Sequence, residues 1–537
     1  MTTEAPDAAA LEFDYVIVGA GSAGCLLANR LSREHRVLLL EAGGADDWRW
    51  IHIPVGYLYC IGNPRTDWCY HTQPDPGLNY RSLGYPRGRV LGGSSSINGM
   101  LYLRGQAADY DGWEALGNPG WSWADVLPLF RDVEDHHAGA SEFHGASGTW
   151  RVEPQRLRWD VLDAFRDAAA QAGIERTDDF NRGDNAGCNY FEVNQRRGVR
   201  WNAAKAFLRP VMHRDTLRVM TGVRVERIRF SGRRATGVDC VADGGRLRAV
   251  ARRELILAAG AIGSPQLLQV SGVGSAERLR KLGIPIVLDL PGVGENLQDH
   301  LQLRMIYRLK GARTLNTLVH SWRGKVAMGL QYALFRSGPL AMAPSQLGAF
   351  ARSDPSRPRP NLEYHVQPLS LDKFGDPLHD FPALTASVCN LQPGSRGHVR
   401  IVSPNAADAP EILCNYLQTP EDRAVAADAL RLTRRIMAQP AMARYQPSEY
   451  LPGDAVQTQE ELEAAAGDIG TTIFHPVGTC KMGVDPLAVV DPELRVRGVE
   501  SLRVIDASIM PVITSGNTNS PTIMIAEKGA RLILGSA

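Results

Sequence analysis

Two side chains near the end of this 537-residue chain have types suited to acid–base chemistry. His475 lies in Phe474-His475-Pro476-Val477-Gly478-Thr479-Cys480, and Asn519 in Asn517-Thr518-Asn519-Ser520-Pro521-Thr522. A histidine takes up a proton near neutral pH, and an asparagine amide can hold the oxygen that gives it up. A histidine among hydrophobic neighbours is more often a hydrogen-bonded structural residue. The elements around the pair therefore decide between the two readings.

Asp14-Tyr15-Val16-Ile17-Val18 is a short β-branched run of the kind that forms a buried parallel strand, and it leads directly into Gly19-Ala20-Gly21-Ser22-Ala23-Gly24. In that context Gly19 permits a tight turn, Gly21 lets backbone approach a pyrophosphate, and Gly24 allows a helix to pack closely, its N-terminus facing the negative charge. The helix continues through Leu26, Leu27, Ala28 and Leu31. A second strand, Arg36-Val37-Leu38-Leu39-Leu40, ends in Glu41, where an acid accepts hydrogen bonds from ribose hydroxyls and disfavours a 2′-phosphate. The pattern predicts a dinucleotide site without separating NAD from FAD. A further small-residue segment, Arg87-Gly88-Arg89-Val90-Leu91-Gly92-Gly93-Ser94-Ser95-Ser96-Ile97-Asn98-Gly99-Met100, is a poor helix former that can bring backbone N–H groups against a flat ring, although a surface loop would read the same way.

Arg87 to Gly105 resembles the first signature of the glucose-methanol-choline (GMC) oxidoreductases, and the segment from Gly260-Ala261-Ile262-Gly263-Ser264-Pro265 to Gly274 resembles their second. The opening loop, the His475 segment and the segment from Asp506 are similar to that family as well. The resemblance runs from Asp14 to about Leu534, and within the family it is nearest to enzymes of choline and of aliphatic alcohols. It implies noncovalent FAD, because the position at which some relatives carry a flavin-linked histidine is Ile97 here. It implies His475 as the base and Asn519 as the group that orients the substrate oxygen. Implied cofactor contacts are Gly19, Gly21, Ser22, Gly24, Glu41, Arg87, Leu91, Gly92, Gly93, Ser94, Asn98, Gly99, Met100, Val223, Ala259, Gly260, Asp506, Ala507, Thr518, Pro521 and Thr522. Val223 would meet the adenine through its backbone, and Trp48, Trp50 and Trp68 lie in a segment that covers the flavin. His300, in Asn296-Leu297-Gln298-Asp299-His300, reads as structural. Gln346 stands where choline enzymes carry a glutamate, which weakens a quaternary-ammonium substrate.

The implied fold is α/β and α+β: a discontinuous Rossmann-like FAD-binding domain with a mostly antiparallel-sheet substrate domain. Glu254–Leu257 and Arg503–Asp506 read as further strands of the cofactor domain, the latter before a helix from Thr522 to Leu534. Asn361–Val366 and Gly397–Ile401 alternate as antiparallel strands, and a helix runs from about Glu421 to Ala438. The division placed on this pattern is 1–155, 196–300 and 466–537 for the cofactor domain, with 156–195 and 301–465 for the substrate domain.

With 59 basic and 58 acidic residues the chain has no field for nucleic acid. Eight cysteines without CxxC spacing indicate neither a disulfide framework nor zinc, and Cys480 near His475 has no companion ligands, so no metal is expected. Residues 1–12 lack an export signal, and no window has enough apolar residues to cross a bilayer; a cytoplasmic location is expected, with peripheral membrane contact left open. The reaction expected is oxidation of a primary aliphatic or aromatic alcohol to an aldehyde, with electrons passing to a quinone, dioxygen or a soluble carrier. Choline or sugar oxidation, a hydroxynitrile lyase on the same fold, and a flavin-binding structural or regulatory protein are the alternatives.

Overall fold

The computed structural model describes residues 11–242, 244–372 and 376–535. The expectation about the N-terminal segment falls mostly on residues 1–10, outside the described residues. The β-branched opening run forms the strand Leu11–Val18, and Gly19 at φ +100° turns the chain into the helix Ser22–Leu31. A Cβ on Gly19 would lie 2.6 Å from the Ala258 carbonyl oxygen, and one on Gly24 only 1.8 Å from the Gly19 carbonyl oxygen. Both neighbours are backbone, so only glycine permits strand, turn and helix to close on one another.

This unit belongs to a seven-stranded sheet in the order Leu217–Met220, Val37–Leu40, Leu11–Val18, Gly245–Leu257, Arg234–Ala242 and Arg224–Ser231, with Leu502–Val504 beside the end of Gly245–Leu257. Its centre is parallel, and the Arg224–Ser231 and Arg234–Ala242 strands form an antiparallel extension. Strands from three distant parts of the sequence thus assemble one cofactor sheet. The helix Asn519–Leu534 packs beside Ser22–Leu31.

A second seven-stranded sheet is antiparallel throughout, in the order Ser448–Leu451, Leu301–Arg308, Ala383–Asn390, Leu362–Gln367, Leu347–Ala351 and Gly187–Tyr190. Gly470–Thr472, assigned from sequence to the cofactor domain, pairs instead with Leu301–Arg308 in this sheet. His398–Arg400 pairs with Glu411–Leu413 as a separate two-stranded sheet. One face of the large sheet, with Leu303, Met305, Tyr364, Val366, Leu384 and Val388, is packed in an apolar core with the helix Pro420–Met437. That helix is capped by Thr419, whose side chain accepts from the Asp422 N–H, and starts on Pro420.

The alternate residues of the same strands make the opposite face polar. Cross-strand partners share a face, and the register sets Gln302 opposite Cys389 and Cys389 opposite Glu363, then Arg304 opposite Ser387 and Ser387 opposite His365. Gln367 and Thr385 continue this face. All are buried. A buried sheet with one polar face is a wall built for something other than packing.

Gly24→Ala should lower stability by about 1–3 kcal/mol, the usual range for overpacking, and weaken dinucleotide retention, because the intruding methyl meets backbone that cannot rotate away. Thermal unfolding with and without added cofactor checks this. An unchanged melting temperature would show that the turn moves aside freely.

Candidate active site

The residues flanking His475 bend it into position. Phe474 adopts φ +70°, a left-handed conformation rare for a bulky residue, and Pro476 disfavours the helical region for His475. The turn is held at three points. The Phe474 N–H donates to Thr472 Oγ1 (2.8 Å), Arg87 Nη2 donates to the Phe474 carbonyl (2.7 Å), and the His475 N–H donates to Asp299 Oδ1 (2.7 Å). Asp299 Oδ1 also accepts from the His300 N–H (2.9 Å). Its Oδ2 accepts from the hydroxyls of Thr472 (2.6 Å), Tyr85 (3.0 Å) and Tyr416 (2.5 Å). This buried carboxylate therefore gathers five donors.

The two imidazoles form a directional chain. His300 Nε2 is 3.2 Å from the Leu391 carbonyl oxygen, which can only accept, so Nε2 carries the His300 proton. Nδ1 of neutral His300 is then an acceptor, and the atom facing it at 3.1 Å, His475 Nδ1, must donate. His475 Nε2 is left unprotonated, and Asn517 Nδ2 donates to it at 2.9 Å. Burial, with the Arg87 guanidinium nearby, holds the His475 pKa well below the ordinary histidine value. Burial also lowers that of His300. Both rings are neutral at neutral pH, and the His475 lone pair is available.

This geometry corrects the expected pair. Asn517, two residues earlier, meets His475, whereas Asn519 Oδ1 accepts from Ser22 Oγ at 2.7 Å and so faces the dinucleotide loop. The reason is local: Asn519 opens the helix Asn519–Leu534, beside the glycine turn, while Asn517 lies in the loop before it. His300, read from sequence as structural, touches His475.

A continuous cavity joins His475 to the dinucleotide loop. It is lined by Gly19, Gly21, Ser22, Glu41, Arg87, Gly93, Ser94, Asn98, Gly99, Met100, Val223, Ala259, Gly260, Asp506, Ala507, Thr518, Asn519 and Thr522. Four other expected contacts are not among its lining. Gly24 packs against the turn, Leu91 lies in the core of the cofactor sheet, Gly92 bonds to the Ala20 carbonyl, and Pro521 is buried in the first turn of its helix. Trp68 lines the cavity; Trp48 and Trp50 pack beside Ile51 and Cys60 instead. Gln302, Gln367 and His365, from the polar sheet face, also line it. The sequence signal for them is the alternation Glu363-x-His365-x-Gln367, polar on one side of a strand.

The lining fits FAD. Helices Ser22–Leu31 and Asn519–Leu534 both begin without a side-chain cap, so N–H groups at their starts are available for phosphate and for a ring carbonyl. Asn519 Nδ2 is a buried donor without a hydrogen-bond partner among the described residues. A Cβ on Gly93 would be 2.7 Å from Gly21 Cα, so two glycine loops abut beneath the cavity. Glu41 Oε2 and Oε1 accept from the Ala20 N–H (2.9 Å) and the Gly43 N–H (2.8 Å), while burial pushes its pKa up to about 7. Each oxygen keeps a second lone pair for a ribose hydroxyl. Val223 has committed its N–H to the Glu41 carbonyl, so an adenine would meet its carbonyl.

Sequence models described as GMC oxidoreductase match residues 13–302 and 393–526. Human mitochondrial choline dehydrogenase is 43% identical over 536 residues, covering 98% of this chain and 90% of that protein. The alcohol dehydrogenase [acceptor] of Pseudomonas putida is 41% identical over 528 residues, covering 97% and 96%. Among solved structures, pyridoxine 4-oxidase from Mesorbium loti superposes with a TM-score of 0.87 at 33% identity, covering 96% of this chain and 98% of that one. The chain belongs to the GMC oxidoreductase family and is an FAD-dependent oxidoreductase.

Asp299→Ala would leave five donors without their acceptor, each buried orphan costing about 1–3 kcal/mol where water cannot reach it. The variant should melt several degrees lower and lose FAD more readily than the parent, whereas Asp299→Asn, which keeps one acceptor oxygen, should fall between them. Calorimetry and flavin content of the purified proteins measure both; equal melting of all three would remove Asp299 from its structural role.

Proposed function

We propose that the chain oxidises a primary alcohol, aliphatic or aromatic, to the aldehyde, with His475 as the base and Asn517 holding the substrate oxygen. The observation that carries this reading is the hydrogen-bonded chain from the Leu391 carbonyl through His300 to His475, whose polarity leaves His475 Nε2 unprotonated in the same cavity as the dinucleotide loop. FAD, when bound, supplies the acceptor for the carbon-bound hydrogen as hydride. The alcohol hydroxyl enters between His475 Nε2 and Asn517 Nδ2. Nε2 takes its proton, and Nδ2 shifts its hydrogen bond to the oxygen as negative charge develops there. The His475 Nδ1–H stays engaged with His300 throughout, so the ring does not rotate as it charges. The protonated ring is buried, and burial together with the Arg87 guanidinium disfavours its charge, so the proton is released again for the next turnover. Asn519 belongs to the cofactor side of the cavity.

A neutral alcohol suits the walls. The only carboxylates among the lining residues are Glu41 and Asp506, both at the dinucleotide part, and Asp506 is committed to Gly260, Ser264 and Ser508. Gln346 does not line the cavity: it is fully buried, and its amide donates to the Ala343 carbonyl (3.2 Å), so its replacement of an acid says little about the substrate. Choline is the second reading. The rings of Tyr57, Trp68, Tyr70 and Phe474 line the cavity, and aromatic faces attract a quaternary ammonium; the similarity to choline dehydrogenases points the same way. Ile97 lines the cavity without a nucleophile, which supports noncovalent FAD. The electrons pass on to a quinone, dioxygen or a soluble carrier.

His475→Ala should slow anaerobic flavin reduction by about 10²–10⁴-fold while FAD stays bound, the usual range for loss of a general base. Asn517→Ala should slow it less, and Asn519→Ala should act mainly on FAD retention. Because the His475 pKa is depressed, the base is already neutral through the neutral range: the reduction rate should be flat from about pH 6.5 upward and fall only in acid, in contrast to an unperturbed histidine with a midpoint near ~6.5. Stopped-flow reduction with one reactive alcohol reads all of these; a His475→Ala variant as fast as the parent would assign the proton to another group. Acid precipitation should leave FAD in the supernatant. A yellow pellet would contradict noncovalent binding.

A further inference from the structure

The helix Trp322–Phe335 is apolar on two sides but covered on only one. Met328 and Tyr332, one turn apart, face inward, and Tyr332 Oη donates to the Gly198 carbonyl at 3.1 Å. On the outside Trp322, Val326, Leu330 and Leu334 recur every fourth residue along the whole helix, exposed by 71%, 51%, 57% and 70%. Phe335 follows at 65%. Five of the fifteen exposed large hydrophobic side chains among the described residues are therefore on this one helix. Single exposed apolar residues are ordinary, whereas a contiguous stripe marks a contact surface. The patch also borders the cavity's surroundings. The turn Pro339–Ala341 that follows the helix packs against Pro54–Gly56, and beyond it the exposed Leu58 and Tyr59 adjoin Tyr57 and Ile61 of the cavity wall.

Charge identifies what covers the stripe. No acidic residue occurs between Asp299 and Asp354, a stretch that includes Lys310, Arg313, Arg323, Lys325 and Arg336. All five are exposed, as is Arg156, which donates to the Arg336 and Phe335 carbonyls at the helix end. A second copy of this chain seated on the stripe by a two-fold axis would set like charges against like. A surface that is both apolar and negative satisfies the stripe and its basic flanks together. We propose that the Trp322–Phe335 helix lies in the headgroup region of an anionic lipid bilayer, docking the enzyme peripherally beside the mouth of its cavity, with the apolar stripe in the acyl boundary and the basic side chains on the lipid phosphates. No described helix is long and apolar enough to cross the bilayer, so the contact is one of surface.

The test is co-sedimentation of the FAD-loaded protein with vesicles of equal parts phosphatidylglycerol and phosphatidylcholine, and with vesicles of phosphatidylcholine alone. The parent should pellet with the anionic vesicles, less with the neutral ones, and be released as salt is raised. Leu330→Gln with Leu334→Gln should weaken binding by about tenfold or more, and Arg323→Gln or Lys325→Gln by about fivefold each. All four substitutions lie outside the catalytic cavity, so flavin content and alcohol oxidation in solution should stay at the parent's level. Equal pelleting of the leucine variant overturns the proposal. So does a parent that ignores both vesicles but dimerises in sedimentation velocity while the leucine variant stays monomeric, which would make a second copy the occupant.

Discussion

One buried carboxylate holds the His475 end of the cavity together. Asp299 accepts from two backbone N–H groups and three hydroxyls, and its donors come from widely separated segments: Tyr85, His300, Tyr416, Thr472 and His475. An anion so deeply buried is tolerable only with donors converging on it. The requirement works in both directions. The donors stabilise the charge, and the charge obliges the chain from Thr472 to His475 to adopt the left-handed turn at Phe474 that it would otherwise avoid. The turn is what presents the imidazole to the cavity. Position at the site thus derives from a network several residues deep, with Asp299 acting as a positioning residue behind the histidine.

Hydrogen-bond polarity in turn sets the direction of the proton. A carbonyl oxygen cannot donate, so the Leu391 carbonyl decides the tautomer of His300, and His300 decides that of His475. No charged partner is needed at the end of this chain. A carboxylate in direct contact with His475 Nδ1 would stabilise the imidazolium and raise its pKa; a neutral imidazole in that place orients the ring without doing so. Burial then keeps the ring neutral, with its Nε2 lone pair accepting from Asn517 Nδ2.

The sequence is most legible where local chemistry dictates structure. The glycine turn follows from backbone clearance, which is why Gly19 and Gly24 can be read without knowing the sheet they join. The helix Pro420–Met437 is likewise set by its cap and by the proline past its end. The site is less legible because its residues meet only through long-range pairing. Asn517 and Asn519 are of the same type two positions apart, and what separates them is where a helix begins, a boundary set by packing against Ser22–Leu31. His300 reads as structural because its role depends on Leu391, a backbone group with no signature of its own. Gly470–Thr472 is misplaced from sequence for a related reason: three residues carry little periodicity, and their partner strand lies far away in the chain.

The polar face of the second sheet shows how the two domains depend on each other. Gln302, His365 and Gln367 are buried and face the cavity, and the polar residues around them cannot be satisfied by an apolar core. An isolated sheet with this face against hydrocarbon would carry several unpaired polar groups, each unfavourable by about 1–3 kcal/mol. Some are paired within the face, as Gln302 Nε2 is with the Thr472 carbonyl and Gln367 Nε2 with Ser345 Oγ. Others, such as Ser387 Oγ, have no hydrogen-bond partner among the described residues. Such a face is stable only when the cofactor domain closes over it and the space between them holds hydrogen-bonding occupants. The polarity that sets this face apart from an apolar core is also what ties it to the cavity, because Gln302, His365 and Gln367 line the same space as the glycine loops.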